Sequence, residues 1–179
     1  LSQMVDALLF LARTEQDQQD LEKKRLNAHQ EVASICAFYQ AMADEQEVSL
    51  DNDVDASIVA NSELLRRALS NLLSNALNHT PAGGSIRIHS VQTQERLQLM
   101  VSDSGTGISA EALDRVFDRF YSEDTARMRR GQGTGLGLAI VRSIMQLHGG
   151  EVALKSTPGS GTTAILYFPL IHQVKKNNP

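Results

Sequence analysis

The sequence predicts an α+β fold, a two-layer sandwich with helices on one face of a mixed, mostly antiparallel sheet. Three observations predict it. Apolar residues recur at three and four along 28–45, along about 62–79 and after the glycines of 131–137, which is the helical period. Two pairs of alternating runs, SIRIHSV (85–91) with RLQLMVSD (96–103) and EVALKS (151–156) with TTAILYF (162–168), are each joined by a short turn and read as hairpins. The length, 179 residues with 41% apolar and 21% charged side chains, suits one ordinary domain plus a short extra element.

Each element follows in order. LSQMVDALLFLART (1–14) places Leu1, Met4, Val5, Leu8, Leu11 and Ala12 on one helical face, with no partner in its own neighbourhood. The chain opens inside this periodic pattern, as a piece of a longer protein would. The polar EQDQQDLEKK (15–24) reads as a boundary. In the next helix Val32, Ile35, Cys36, Tyr39 and Met42 recur. The one after it turns Leu64, Leu65, Ala68, Leu69, Leu72, Leu73 and Ala76 inward and is stopped by Thr80-Pro81 and Gly83-Gly84. Ser109 is a good N-cap for a short helix near 109–116. Residues 118–132 are charged, Arg-rich and long for a passive connection, as lids and binding loops are. The helix after the glycines runs to about His148 and ends at Gly149-Gly150.

Bulk properties exclude some functions. A net charge of −4 argues against a dedicated nucleic-acid binder. No run of 18 apolar residues is present, so nothing in the sequence reads as a membrane span, and no signal peptide is visible. Cys36 is the one cysteine and lies in an apolar helical pattern, which reads as a buried, inert thiol.

The chemistry concentrates in three stretches. In GQGTGLGLAIV (131–141), glycines alternate at Gly131, Gly133, Gly135 and Gly137, although each costs a helix about 1 kcal/mol relative to alanine. No GK pair exists, so this is not a P-loop. Counting on from Gly133 and Gly135 meets Leu138, so the dinucleotide fingerprint fails too. What remains is a glycine-dense loop entering a helix N-terminus, where free N–H groups and the dipole suit phosphate. A flexible lid hinge explains the loop equally well.

The second stretch is DSGTGIS (103–109). Asp103 ends a strand, and Gly105 and Gly107 permit close approach. A carboxylate there can accept from an exocyclic amine, which adenine offers and guanine does not. A tight turn is the alternative. The third is NLLSNALNHTP (71–81), with Asn71 and Asn75 one turn apart on one helical face. An Asn carbonyl can complete the coordination of Mg²⁺ held by phosphates and water. A solvated face is the plainer reading of two helical asparagines taken alone.

Together, in this order, the three stretches resemble the Bergerat-type ATP-binding fold shared by gyrase, mismatch-repair proteins, a heat-shock chaperone and sensor histidine kinases. NLLSNALNHTP resembles the kinase N box, DSGTG the G1 box, VFDRFYS (116–122) the F box, GQGTGLGLAIV the G2 box and GSGTTAILYFP (159–169) the closing hairpin. The resemblance covers about 25–170. It implies ATP and Mg²⁺ as cofactors and a nucleotide site of Asn71, Asn75, Asn78, His79, Asp103, Gly105, Gly107, Ile108, Gly131, Gly133, Thr134, Gly135, Leu136, Gly137, Leu138 and Thr162. Asn75 would be the Mg²⁺ residue. His79 aligns with an often aromatic position. Asn78 stands where the family often has Lys or Arg, so replacement charge is sought among Arg119, Arg127, Arg129 and Arg130, with Arg119 and Arg130 first by motif position. Phe117 and Phe120 would pack the lid base, and Thr162 would support the sheet beside the glycine loop.

Family ATPases carry a glutamate where this chain has Asn71. An amide cannot take a proton at neutral pH, so water loses its general base. The resemblance therefore implies a kinase that holds ATP for a histidine nucleophile. His29, His79, His89, His148 and His172 all lack the acidic neighbour that follows the family's acceptor, which places that acceptor upstream of Leu1. On this reading residues 1–20 end a dimerisation helix hairpin, 21–171 form the catalytic domain and 172–179 a flexible tail.

Implied partners are the chain's own dimerisation domain, as a homodimer, and a response-regulator receiver domain. Nucleic acid and membrane contact are not expected of this segment, which would be the cytoplasmic domain of an inner-membrane protein. The wording LLFLAR and ALSNLLSNAL further resembles heavy-metal (copper/silver) sensor kinases. Rival functions are an ATPase clamp, which Asn71 opposes, and a non-catalytic nucleotide module, which the intact Asn75, Asp103 and glycine set oppose.

Overall fold

A computed structural model describes residues 2–16, 21–121 and 134–170. Helix α1 (Ser2–Gln16) precedes strand β1 (Lys24–Asn27), helix α2 (Ala28–Glu45) and strands β2 (Ser49–Asp53) and β3 (Ser57–Ala60). Helix α3 (Ser62–His79), strands β4 (Ser85–Gln92) and β5 (Arg96–Asp103) and the short helix α4 (Ala110–Leu113) follow. Helix α5 (Gly137–Leu147) and strands β6 (Glu151–Ser156) and β7 (Thr162–Pro169) complete the chain.

The main sheet has the order β2-β4-β5-β7-β6. Its β2–β4 pair is parallel, the rest antiparallel. Both predicted hairpins form, with Ile88 opposite Val101 in the first and Leu154 opposite Ala164 in the second. Alternation sends Ile86, Ile88, Leu97, Leu99, Val101, Ala164, Leu166 and Phe168 into the core. There they meet Val32, Leu65, Leu69, Leu73, Val141 and Ile144 from the helices. The predicted class is thus observed. Three strands went unpredicted: β1 and β3, which form their own small antiparallel pair, and β2. All three are only four or five residues long, and β2 (SLDND) is too polar to show apolar alternation.

Capping sets the helix ends. The Asn27 and Asn61 side chains accept from the N–H groups of Gln30 and Leu64, and Ser109 Oγ accepts from Ala112 N. Helix α3 stops because Pro81 forces Thr80 into extended backbone (φ −95°, ψ 122°). The Thr80 hydroxyl and amide then both donate to the Ala76 carbonyl. Helix α4 is shorter than the segment expected near 109–116, although Ala112 and Val116 are buried.

The apolar stripe expected on the first helix is corrected. Met4, Ala7, Phe10 and Leu11 pack on the body, against α5 and under Arg67 of α3, whose guanidinium lies 4.1 Å from the Phe10 ring centroid. Val5, Leu8, Leu9 and Ala12 stay exposed. The helix therefore has a partner after all, made by elements more than fifty residues downstream. Met42, part of the apolar repeat of α2, is 46% exposed. Cys36 is buried, and burial pushes its thiol up to about 11, so it stays an unreactive thiol. No helix among the described residues is long and apolar enough to cross a membrane.

Candidate nucleotide site

Four segments converge at one end of the sheet. Asp103 ends β5, and its Oδ1 accepts from Gly105 N (2.8 Å) and from Thr162 N at the start of β7 (3.2 Å). No described residue donates to Oδ2. Burial pushes the Asp103 carboxyl above the usual carboxylate range, while the two amides and the nearby His79 pull it down. The backbone thus orients the group, and among the described residues only Oδ1 receives a hydrogen bond.

The loop after Asp103 is stitched to both neighbours. Thr106 N donates to the His79 carbonyl at the end of α3 (3.1 Å), and a Cβ on Gly105 would lie 2.5 Å from that same oxygen. Gly107 approaches the Thr157 backbone, Gly159 N donates to Thr106 O, and Ile108 N donates to Ser156 Oγ. Ser156 Oγ in turn bonds Gly161 O and Thr162 Oγ1. Side chains larger than hydrogen at 105 and 107 would force these elements apart.

Helix α3 supplies the third wall. Asn71 Nδ2 donates to Arg67 O one turn back, and Asn71 Oδ1 sits where a Cβ on Gly137 would come within 3.1 Å. The first turn of α5 therefore packs on Asn71, and the β5 loop on His79. Half-buried Asn75 lies between them, one helical turn from each. Asn78 and His79 are exposed.

The fourth wall is the start of α5. Thr134, Gly135, Leu136, Gly137 and Leu138 are described; Gly131, Gly133, Arg127, Arg129 and Arg130 lie outside the described residues. Unlike α2, α3 and α4, this helix has no side-chain cap at its N-terminus. Its first N–H groups thus lack a capping side chain, at the positive end of the dipole. Gly135 (φ +64°) presses against Phe120, whose N–H donates to Gly135 O. Phe120 itself is held at φ +64°, unusual for an aromatic residue.

The lid-base expectation is half corrected. Phe117 is partly buried with Arg142 at 5.8 Å, but Phe120 is 46% exposed. Arg119 is exposed. Gly161 and Ser156 were missed by sequence reasoning, yet they brace Asp103 and the loop after it. The cue was the TPGSG turn, where Gly161 takes φ +86° and faces the Asp103 carbonyl.

Comparison with known proteins identifies the family of this fold. Residues 60–172 match the family of histidine kinase-, DNA gyrase B-, and HSP90-like ATPases. Sensor protein IrlS of Burkholderia pseudomallei is 44% identical over 169 residues, 94% of this chain and 36% of that protein. Sensor histidine kinase CusS of Escherichia coli K12 is 44% identical over 170 residues, 94% of this chain and 35% of that protein. The catalytic domain of histidine kinase ThkA superposes with a TM-score of 0.73 at 25% identity, covering 83% of this chain and 96% of that one. The chain spans about a third of the length of the curated relatives it matches. The chain belongs to the histidine kinase-, DNA gyrase B-, and HSP90-like ATPase family, with sensor histidine kinases as its relatives.

Proposed function

We propose that residues 21–171 are the ATP-binding catalytic domain of a two-component sensor histidine kinase and that α1 ends its dimerisation hairpin. The observation that carries the reading is Asp103, whose Oδ1 is tied to Gly105 and Thr162 while Oδ2 has no described donor. A carboxylate oriented in this way accepts a hydrogen bond from the exocyclic amine of adenine and repels the acceptor of guanine. Gly105 and Gly107 keep the wall flat enough for the base to approach. The uncapped N–H groups of α5 and the glycines before it receive the phosphates.

Mg²⁺ would be held by the Asn75 side-chain oxygen with phosphate oxygens and water, and would neutralise charge on the transferring group. Asn71 cannot act as a base, and its amide nitrogen already bonds Arg67 O. It spaces α3 from α5 and leaves water without a proton acceptor there. Arg119, with Arg130, supplies cationic charge from the lid. The γ-phosphoryl then passes to a histidine on the dimerisation domain, and from there to an aspartate of a response regulator. In the full-length homodimer this domain is cytoplasmic.

Calorimetric titration with ATP, with and without EDTA, tests the site. Asp103→Asn should weaken binding in both conditions, because an amide accepts more weakly than a carboxylate from the purine amine and carries a competing NH₂ donor. Asn75→Ala should weaken it only when Mg²⁺ is present. Binding like that of the unaltered chain in both variants overturns the assignment. In a second assay, the chain should label a separately supplied dimerisation domain and not itself; acid-labile phosphate on the chain alone would contradict the placement of the acceptor.

A further inference from the structure

The C-terminal half of α2 exposes two large apolar side chains where a surface helix should be polar. Phe38 is 77% exposed, and Met42, one turn on, is 46% exposed. The Phe38 ring is braced edge-on against Tyr39, with centroids 5.2 Å apart. The Tyr39 hydroxyl shares a 2.7 Å hydrogen bond with Ser70 of α3. Beyond Met42 the helix ends at an open groove of about 540 Å³ between α2 and α3, lined by Glu45, Glu47, Leu77, Asn78 and Thr80.

The charge around this stripe has one sign. Between Arg25 and Arg66 the chain has no Lys or Arg, and it carries eight carboxylates: Glu31, Asp44, Glu45, Glu47, Asp51, Asp53, Asp55 and Glu63. Among the described residues, Glu31 and Asp53 are neutralised by Arg66 and Arg87. Asp44, Glu45 and Glu47, nearest the stripe, form no ion pair with a described residue. An apolar anchor site with a charged rim is the layout of a protein interface. The acidic rim repels nucleic-acid phosphate and anionic lipid, and it attracts Lys and Arg.

We propose that the C-terminal half of α2 docks a basic protein segment, one that sets an apolar side chain on Phe38 and Met42 and Lys or Arg against Glu45 and Glu47. Phe38, Met42, Glu45 and Glu47 all lie outside the nucleotide site, so substitutions at them test this surface independently of it.

The probe is a labelled helical peptide with leucines at i and i+4 flanked by lysines, read by fluorescence anisotropy on the 179-residue chain at physiological salt. Its control carries serine for leucine at the same charge. The leucine peptide should bind, and the serine peptide should bind about tenfold or more weakly. Phe38→Ser, and separately the pair Glu45→Lys with Glu47→Lys, should each weaken the leucine peptide to a similar extent. Thermal melts of the variants show that the fold is retained, and Asp103→Asn should bind the peptide unchanged. Equal binding of the two peptides, an unaffected Phe38→Ser chain or no binding at all would overturn the proposal.

Discussion

Replacing Gly161 by alanine perturbs the candidate site without changing any side chain expected to meet ATP. Gly161 sits at φ +86°, and a Cβ there would run into the Asp103 carbonyl oxygen, with Ser104 Cα 3.0 Å away. Positive φ costs an L-residue about 1–2 kcal/mol. The overlap is with backbone, so the β6–β7 turn and the end of β5 must separate by roughly 1.5 Å before ordinary contact is restored. The bond from Thr162 N to Asp103 Oδ1, already 3.2 Å, breaks first. A hydrogen bond to a charged group is worth about 1.5–3 kcal/mol, so stability should fall by about 3–5 kcal/mol in total. If the displaced carboxylate also loses its bond to the adenine amine, ATP affinity should fall by about 10- to 100-fold.

Gly159→Ala is the matched control. Gly159 has φ +77°, but a Cβ there meets nothing within 4 Å. It should lose only the backbone term of about 1–2 kcal/mol and bind ATP normally. Urea denaturation gives the stabilities and calorimetry the affinities. A folded Gly161→Ala chain that binds ATP like the unaltered one would refute the reasoning, as would Gly159→Ala weakening ATP equally.

Other outcomes follow from single groups. The raised Asp103 pKa means that ionisation costs stability in the fold, a cost that disappears as pH falls through that pKa. Asp103→Asn should therefore melt no lower than the unaltered chain at neutral pH even while it loses ATP, and ATP affinity should decline on acidification above the ordinary aspartate range. Buried His148 accepts from Asn61 N at Nε2 and donates from Nδ1 to Ile144 O, so it is held neutral, with its pKa lowered chiefly by burial. Its contribution is present above the ordinary histidine range and is lost as pH falls through about 6.5 toward the lowered value, which denaturation across that window would show. Leu73→Ala, at a fully buried position, should cost about 2–5 kcal/mol in urea denaturation. Phe120→Gly should relieve the φ +64° backbone and raise the melting temperature, or at least leave it unchanged.

Much of the fold was legible because periodicity is a local signal. The α2, α3 and α5 helices and both hairpins follow from residues spaced two, three or four apart, and Thr80-Pro81 stops α3 by a steric rule confined to neighbours. The polar strand β2 was not legible. It is a strand because β4 offers it a parallel ladder, with Ser49 opposite Ser85 and Asp53 opposite His89. The two-faced character of α1 was hidden for a related reason. Both of its faces are apolar, and only α5 and Arg67 decide that Leu11 is buried while Leu9 is exposed.

The candidate site divides along the same line. Residue types and spacing alone marked Asp103, the asparagines one turn apart and the glycines before a helix, because acceptor chemistry and glycine backbone freedom belong to the residues themselves. Which Asp103 oxygen is spent, that Asn71 abuts Gly137, and that Gly161 braces the carboxylate were decided by the tertiary structure. Apart from the Gly105 amide, which reaches Asp103 from two residues away, these contacts join segments at least 58 residues apart in the chain, and no local pattern encodes the distance at which two such segments come to rest.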